Sequence, residues 1–201
     1  MARTCWSLPG KLSVELGGVA VKVVAGELDG LLLIQPQVFG DERGFFLESY
    51  NASRYRAAGI EAAFVQDNHS RSVRGTLRGL HYQSSPGQAK LVRVTQGRVF
   101  DVAVDIRPGS PSLGRWVGVE LDAETHRQLF IPVGFAHGFC VLSDVAEVQY
   151  KVSSVYDSST ECSIRYDDPD LGVRWPTEEP LLSARDQSAE SFAAYRQRVE
   201  S

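Results

Sequence analysis

Within Arg74–Gln83, RGTLRGLHYQ, a single histidine, His81, stands among cations: Arg74, Arg78 and, a little downstream, Lys90. From Asn68 through Phe100 there is no acidic residue, although the 201-residue chain carries a formal net charge of -4. Local positive charge on an acidic protein predicts an anionic ligand rather than a generally sticky surface. A histidine inside that field is a candidate for proton transfer. Positive neighbours favour its neutral, base-competent form, whereas a nearby carboxylate raises its basicity, so a proton-abstracting histidine needs both in balance. An isolated strand histidine is more often a hydrogen-bonded core residue. Gathered like charges, however, call for an anion. The stretch reads as a site that binds an anion and moves a proton.

A second constellation is Ile131–Phe139, IPVGFAHGF, in which Pro132 and Gly134 make a turn and His137 follows three residues after the glycine. It suits a strand–turn–strand corner and a ligand contact equally well.

These residues must be positioned by strands. In Val99–Ile106 one face carries Phe100, Val102, Val104 and Ile106 and the other Asp101, Ala103 and Asp105, the pattern of a strand with one buried face. Similar runs occur at Leu31–Ile34, Phe45–Tyr50, Lys90–Thr95, Trp116–Leu121, Gln128–Ile131 and Glu147–Val152. Alternation in Leu80–Gln83 puts His81 and Gln83 on one face and Leu80 and Tyr82 on the other. Turn chemistry separates the runs at Gln96-Gly97, Pro108-Gly109-Ser110-Pro111 and Pro132-Val133-Gly134. Many short strands at near-regular spacing predict a sandwich or barrel rather than a βαβ sheet. Helix is scarce: Asn51 caps a short one ending at Gly59, and Ser188–Val199 forms a terminal one.

The expected organisation is one all-β domain over residues 21–201, preceded by an extension, residues 1–20, of weak patterning. That extension reads as a flexible tail, an extra edge strand or a start-site artefact; Met1 is the chain's only methionine. Hydrophobic residues at 43% and charged residues at 23% fit a globular protein with a core of ordinary size. The acidic balance argues against a nucleic-acid partner. No apolar run approaches the ~18 residues of a membrane span, and no signal peptide is expected. The scattered cysteines, Cys5, Cys140 and Cys162, have neither metal-type spacing nor an even count, which points to a reducing, cytoplasmic setting.

The ordered motifs VFGDERGFFLESY, FVQDNHS, RGTLRGLHYQ, QAKLVRVTQGRVFDVAVDIRPGSPSLGRWVGVEL, IPVGFAHGF, YKVSSVY and DDPDLGVRWP resemble those of the dTDP-4-dehydrorhamnose 3,5-epimerases from about Val21 to about Phe192. The resemblance implies an all-β cupin, or jelly-roll, barrel. It implies a homodimer, no metal, no cofactor and a dTDP-4-keto-6-deoxy sugar as substrate.

The residues themselves agree about the metal. Metal-binding cupins carry G-x5-H-x-H, a following Glu, and later P-x-G-x2-H. Here Gly75, His81, Pro132, Gly134 and His137 keep their places, but Gln83 replaces the second histidine and Lys90 stands where the acidic ligand is sought. An ammonium repels a divalent ion, and an amide is a weaker ligand than an imidazole.

A 4-ketose acidifies its C3 and C5 C–H bonds, so epimerisation needs a base on one face, an acid on the other and a cation near the carbonyl oxygen. By resemblance His81 is the base, Tyr150 the acid, Lys90 the stabiliser of charge on O4, and Asp186 the carboxylate that pairs with His81. Tyr150 is in phase with Val148 and Val152 and is expected to point inward. Arg43, Glu48, Gln66, Asn68, Arg78 and His137 fall on nucleotide-sugar positions. Arg185 falls where the family often has lysine. Guanidinium forks at Arg43 and Arg78 suit a pyrophosphate. Alternatives remain: a one-carbon epimerase or keto-isomerase of a dTDP-deoxysugar, a non-catalytic sugar-binding cupin, and a metal-dependent cupin oxygenase.

Overall fold

The structure, a computed structural model, describes residues 11–16 and 18–200. The chain builds β1 (Lys11–Leu16), β2 (Val19–Ala25), β3 (Leu32–Pro36), β4 (Val38–Asp41), β5 (Gly44–Leu47), α1 (Ala52–Ala57), β6 (Gln66–Val73), β7 (Leu77–Gln83) and β8 (Lys90–Gln96). There follow β9 (Arg98–Asp105), β10 (Trp116–Asp122), β11 (Gln128–Ile131), β12 (Phe135–Val141), β13 (Val145–Val152), β14 (Glu161–Ser163), α2 (Ala184–Gln187) and α3 (Phe192–Glu200). Seven strands form one sheet in the order β1-β2-β3-β11-β8-β13-β6, five form another in the order β10-β9-β12-β7-β14, and β4–β5 is a separate hairpin. The two large sheets face each other as the expected jelly roll. Their inner faces meet in a core that includes Val92, Leu129 and Val148 from one sheet and Ala103, Val119 and Phe139 from the other.

The outer faces are covered as well. Tyr55 of α1 and Ile60 pack on Val21, Ile34 and Leu91 of the larger sheet. Phe192 and Tyr195 of α3 pack with Phe100, Val102 and Val104 of the smaller one. This second layer corrects the reading of β9 as a strand with one buried face: residues 99–105 are all buried, and Asp101 and Asp105 are each 0% exposed. The apolar face of β9 lies under the C-terminal segment, and its polar-looking face is the barrel interior.

Both expected helices form. Asn51 caps α1, its side chain accepting the Arg54 N–H at 3.1 Å. The terminal helix begins at Phe192 rather than Ser188, because Glu190 bridges to Ile164 and the Ser191 hydroxyl accepts the Ala194 N–H at 3.2 Å. Of the expected extension, Lys11–Leu16 is an edge strand paired with β2, so regular structure crosses residue 20; residues 1–10 and 17 lie outside the described residues. No helix among the described residues is long and apolar enough to cross a membrane.

β7 and β12 meet through two glycines beside the site. A Cβ on Gly138 would stand 2.8 Å from the carbonyl oxygen of Arg78 and 3.1 Å from the Cα of Gly79. Both neighbours are backbone and cannot swing away. Gly138→Ala is therefore expected to destabilise the fold by about 1–3 kcal/mol, the usual cost of overpacking. Denaturant unfolding checks it, and a variant within about 0.5 kcal/mol of the parent, the range of neutral surface changes, would show that the strands can separate freely.

Candidate active site

The two sheets bring chemistry-bearing side chains together at one end of the barrel. On the smaller sheet His81 of β7 pairs with His137 of β12 on one side and with Ser163 of β14 on the other. On the larger sheet Lys90 of β8 stands opposite Val152, and Tyr150 of β13 stands opposite Val92 and Asn68. Side chains two residues apart share a sheet face, so Lys90 and Tyr150 are diagonal neighbours, ~7–8 Å apart by backbone geometry. Tyr150 packs against the inner core, pointing inward as expected.

Asp186 arrives from α2. Ser183 caps that short helix, its hydroxyl accepting the Asp186 N–H at 3.1 Å and donating to Asp186 Oδ2 at 2.8 Å. The other oxygen, Oδ1, lies 2.5 Å from His81 Nε2. Burial alone would raise the Asp186 pKa, but the His81 hydrogen bond, the Ser183 hydroxyl and the Arg185 charge outweigh it and hold the group below its ordinary range. An ionised carboxylate only accepts, so Nε2 carries the proton and Nδ1 keeps its lone pair. Arg185 Nη2 also approaches Nε2, at 2.8 Å. With Nε2 protonated, that guanidinium is a close cation and not a hydrogen-bond donor to the ring. Burial lowers the His81 pKa, Asp186 opposes it, and the charges of Arg185 and Lys90 lower it further. The balance leaves a neutral imidazole beside a charged carboxylate.

Lys90 is 7% exposed and donates to the His81 carbonyl at 3.2 Å, its one hydrogen bond among the described residues. An ammonium has three donors, so two remain for a ligand oxygen. Burial brings its pKa down to about 8, resisted by Asp101 and Glu161. Burial raises the Tyr150 phenol above its ordinary value, with Arg78 pulling the other way. Among the described residues the Tyr150 hydroxyl makes no hydrogen bond.

The other expected contacts divide. Asn68 faces Tyr150, and Arg78 acts on Tyr150 while its Nε donates to Ser72 Oγ at 3.1 Å. Gln66 ties down the edge of the site, donating to Asn68 Oδ1 at 2.8 Å and accepting the Tyr156 N–H at 3.0 Å. His137 is buried with its Nε2 on Asp101. Arg43 and Glu48 are not brought in by this chain: Arg43 pairs with Asp41 at the exposed tip of the β4–β5 hairpin, and Glu48 pairs with Arg54. Arg74, read as part of the cationic cluster, is bound instead to Asp144 and to the carbonyl of Leu142. The cluster is smaller than the sequence suggests, and it is offset by carboxylates from outside the acid-free window.

One of those carboxylates went unread. Glu161 of β14 accepts from Arg185 and from the Tyr156 hydroxyl, and its charge acts on Lys90 and Tyr150. Gln83, in the place of a metal cupin's histidine, ties β7 to the following loop: its Nε2 donates to the Thr160 hydroxyl at 2.6 Å and the Asp157 carbonyl at 3.2 Å. Among the described residues no group of three or more His, Cys, Asp or Glu side chains is placed to hold a metal ion. A cavity of about 270 Å³ takes in Asn68 and Tyr150 but does not reach His81.

A sequence profile described as dTDP-4-dehydrorhamnose 3,5-epimerase matches residues 25–194. The chain is 53% identical over 174 residues to the dTDP-4-dehydrorhamnose 3,5-epimerase of Shigella flexneri, covering 86% of this chain and 96% of the relative. It is 54% identical over 165 residues to the enzyme of that name from Pseudomonas aeruginosa, covering 81% and 91%. Among solved structures it is similar to the dTDP-6-deoxy-D-glucose-3,5-epimerase of Legionella pneumophila in complex with dTDP-4-keto-L-rhamnose. That match has a TM-score of 0.83 and 53% identity, and covers 85% of this chain and 92% of the other.

Proposed function

This chain belongs to the dTDP-4-dehydrorhamnose 3,5-epimerase family, and we propose that it inverts C3 and C5 of dTDP-4-dehydro-6-deoxy-D-glucose to give dTDP-4-dehydro-L-rhamnose. The observation that carries this reading is an imidazole and a phenol on opposed sheets, suited to act as base and acid. His81 stands on the smaller sheet with Asp186 behind it, and Tyr150 on the larger beside the Lys90 ammonium. His81 Nδ1 takes the proton from carbon, the C–H electrons pass to the carbonyl oxygen as an enolate, and Lys90 stabilises that charge. Tyr150 then delivers a proton to the opposite face. Its raised pKa keeps the phenol protonated until it is needed. Arg78, Arg185, Gln66, Asn68 and His137 bind the nucleotide sugar in this reading.

Deuterium exchange in D2O with this substrate tests activity and regiochemistry together. Label is expected at both C3 and C5; label at one carbon alone would assign a one-carbon epimerase instead. The exchange rate is expected to be bell-shaped in pH. It rises as His81 loses its proton, below the ordinary imidazole value, and falls as Lys90 loses its own at about 8. A rate still climbing above pH 9 would remove Lys90 as the charged partner.

The functional unit in this proposal is a homodimer. The β4–β5 hairpin stands outside both large sheets with Phe39, Phe45 and Phe46 exposed, Phe46 by 71%, and carries Arg43. A second copy would cover those rings and bring Arg43 to a site that lacks it. Light scattering is expected to give twice the chain mass, with Phe46→Asp shifting the population to monomer; a monomeric parent would overturn the assignment. Cys140 and Cys162 are free thiols, in keeping with a cytoplasmic enzyme.

A further inference from the structure

His81 is not the only imidazole of this site backed by a carboxylate. His137 stands directly across from it in the β7–β12 pairing, so the two rings share the inner face of the sheet. His137 Nε2 lies 3.0 Å from each oxygen of Asp101. The proton transfers described above make no use of Asp101, although it is 0% exposed and His137 only 5%. An ionised carboxylate taken wholly out of water is costly unless it is paired with positive charge. The only side-chain hydrogen-bond partner of Asp101 among the described residues is His137.

The nearby cation is Lys90, whose ammonium reaches the carbonyl of His81, the residue directly across from His137. The ammonium donates to that β7 carbonyl, Lys90 has Tyr150 of β13 as its diagonal neighbour, and the charges of Asp101 on β9, Glu161 on β14 and Arg185 on α2 act on it. Of the two acids, Asp101 acts on it more strongly. Glu161 already shares its charge with Arg185 and the Tyr156 hydroxyl. No guanidinium is paired with Asp101 among the described residues.

Resting on the epimerase reading, we propose that Asp101 is a positioning residue of the reaction. It fixes His137 in the tautomer protonated at Nε2, leaving Nδ1 as the acceptor, and it supplies the buried countercharge for the ammonium that meets the enolate oxygen. Burial pushes the Lys90 pKa down, and the Asp101 charge is the largest influence that opposes it.

Asp101→Asn separates this role from a structural one. The amide oxygen still accepts the His137 N–H and the size is unchanged, but the charge is gone. The alkaline limb of the exchange rate is expected to move to lower pH by about one pH unit, the usual effect of removing one close opposite charge. At pH 8.5 the rate should then fall about tenfold relative to the parent, with less than about threefold loss at pH 6.5. An equal loss at every pH, or an unmoved limb, would overturn the proposal.

The second arm uses the unmodified protein and needs no turnover. Nitrogen-15 histidine spectra at pH 7 should show His137 protonated at Nε2 and bare at Nδ1. The opposite tautomer, or an imidazolium, would overturn the proposal whatever the variant does. A parent with no exchange at any pH would instead overturn the epimerase reading, and the spectrum judges Asp101 and His137 apart from it.

Discussion

His81→Asn is expected to slow deuterium exchange at both C3 and C5 by about 10²–10⁴-fold, the range of a positioned general base, while dTDP affinity stays within about threefold of the parent. The asparagine amide is shorter than the imidazole and stops short of the Nε2 position, but Asp186 keeps the Ser183 hydroxyl as a partner and the Arg185 charge beside it, so the fold has no reason to loosen. What disappears is the lone pair of Nδ1. Exchange by NMR and dTDP binding by calorimetry check the two halves separately. Exchange within tenfold of the parent would remove His81 as the base. Loss of binding along with exchange would mean that the imidazole holds the ligand as well.

The relation between this site and the sequence depends on where each residue sits. Tyr150 lies in phase with Val148 and Val152, so its inward direction follows from period two, whereas for His81 alternation gives only a face shared with Gln83, opposite Leu80 and Tyr82. Asp101 lies on an equally plain strand for which one buried face is expected, because alternation shows that a strand has two faces but not that both are covered. The covering layer, with Trp175, Phe192 and Tyr195, comes more than seventy residues later in the chain. Arg74 shows the opposite error. Closeness in sequence suggested a shared cluster, but its partners are Leu142 and Asp144.

Asp186 was reached only through resemblance, yet a local signal exists. Ser183-Ala-Arg-Asp186 has the serine and acid spacing of a helix N-terminal capping box, and in α2 the Ser183 hydroxyl accepts the Asp186 N–H and donates to its carboxylate. The motif says that the carboxylate is held. That it is held against His81 follows from tertiary packing, which no four-residue pattern contains. Arg43 and Glu48 mark a different boundary, since a single chain leaves the first on an exposed hairpin and satisfies the second internally.

Tyr150→Phe should separate bond breaking from inversion. The hydroxyl makes no hydrogen bond among the described residues, and the ring, which packs on the barrel core, is retained. Stability is therefore expected to stay within about 0.5 kcal/mol of the parent, as for changes that break no partner. His81 and Asp186 are untouched on the facing sheet, so a proton still leaves carbon and the enolate still meets Lys90. His81 then returns either the same proton or, after exchange with D2O, a deuteron to the face it came from. Label enters with retention at a rate near that of the parent, while epimer formation falls by about 10²–10⁴-fold, the loss of one positioned acid. NMR of recovered substrate and product reads both quantities from one sample. Normal inversion at both carbons would mean that the proton reaches the far face from another group. Equal loss of label and inversion would place Tyr150 in the first step, and with it the opposed-sheet division of base and acid would fall.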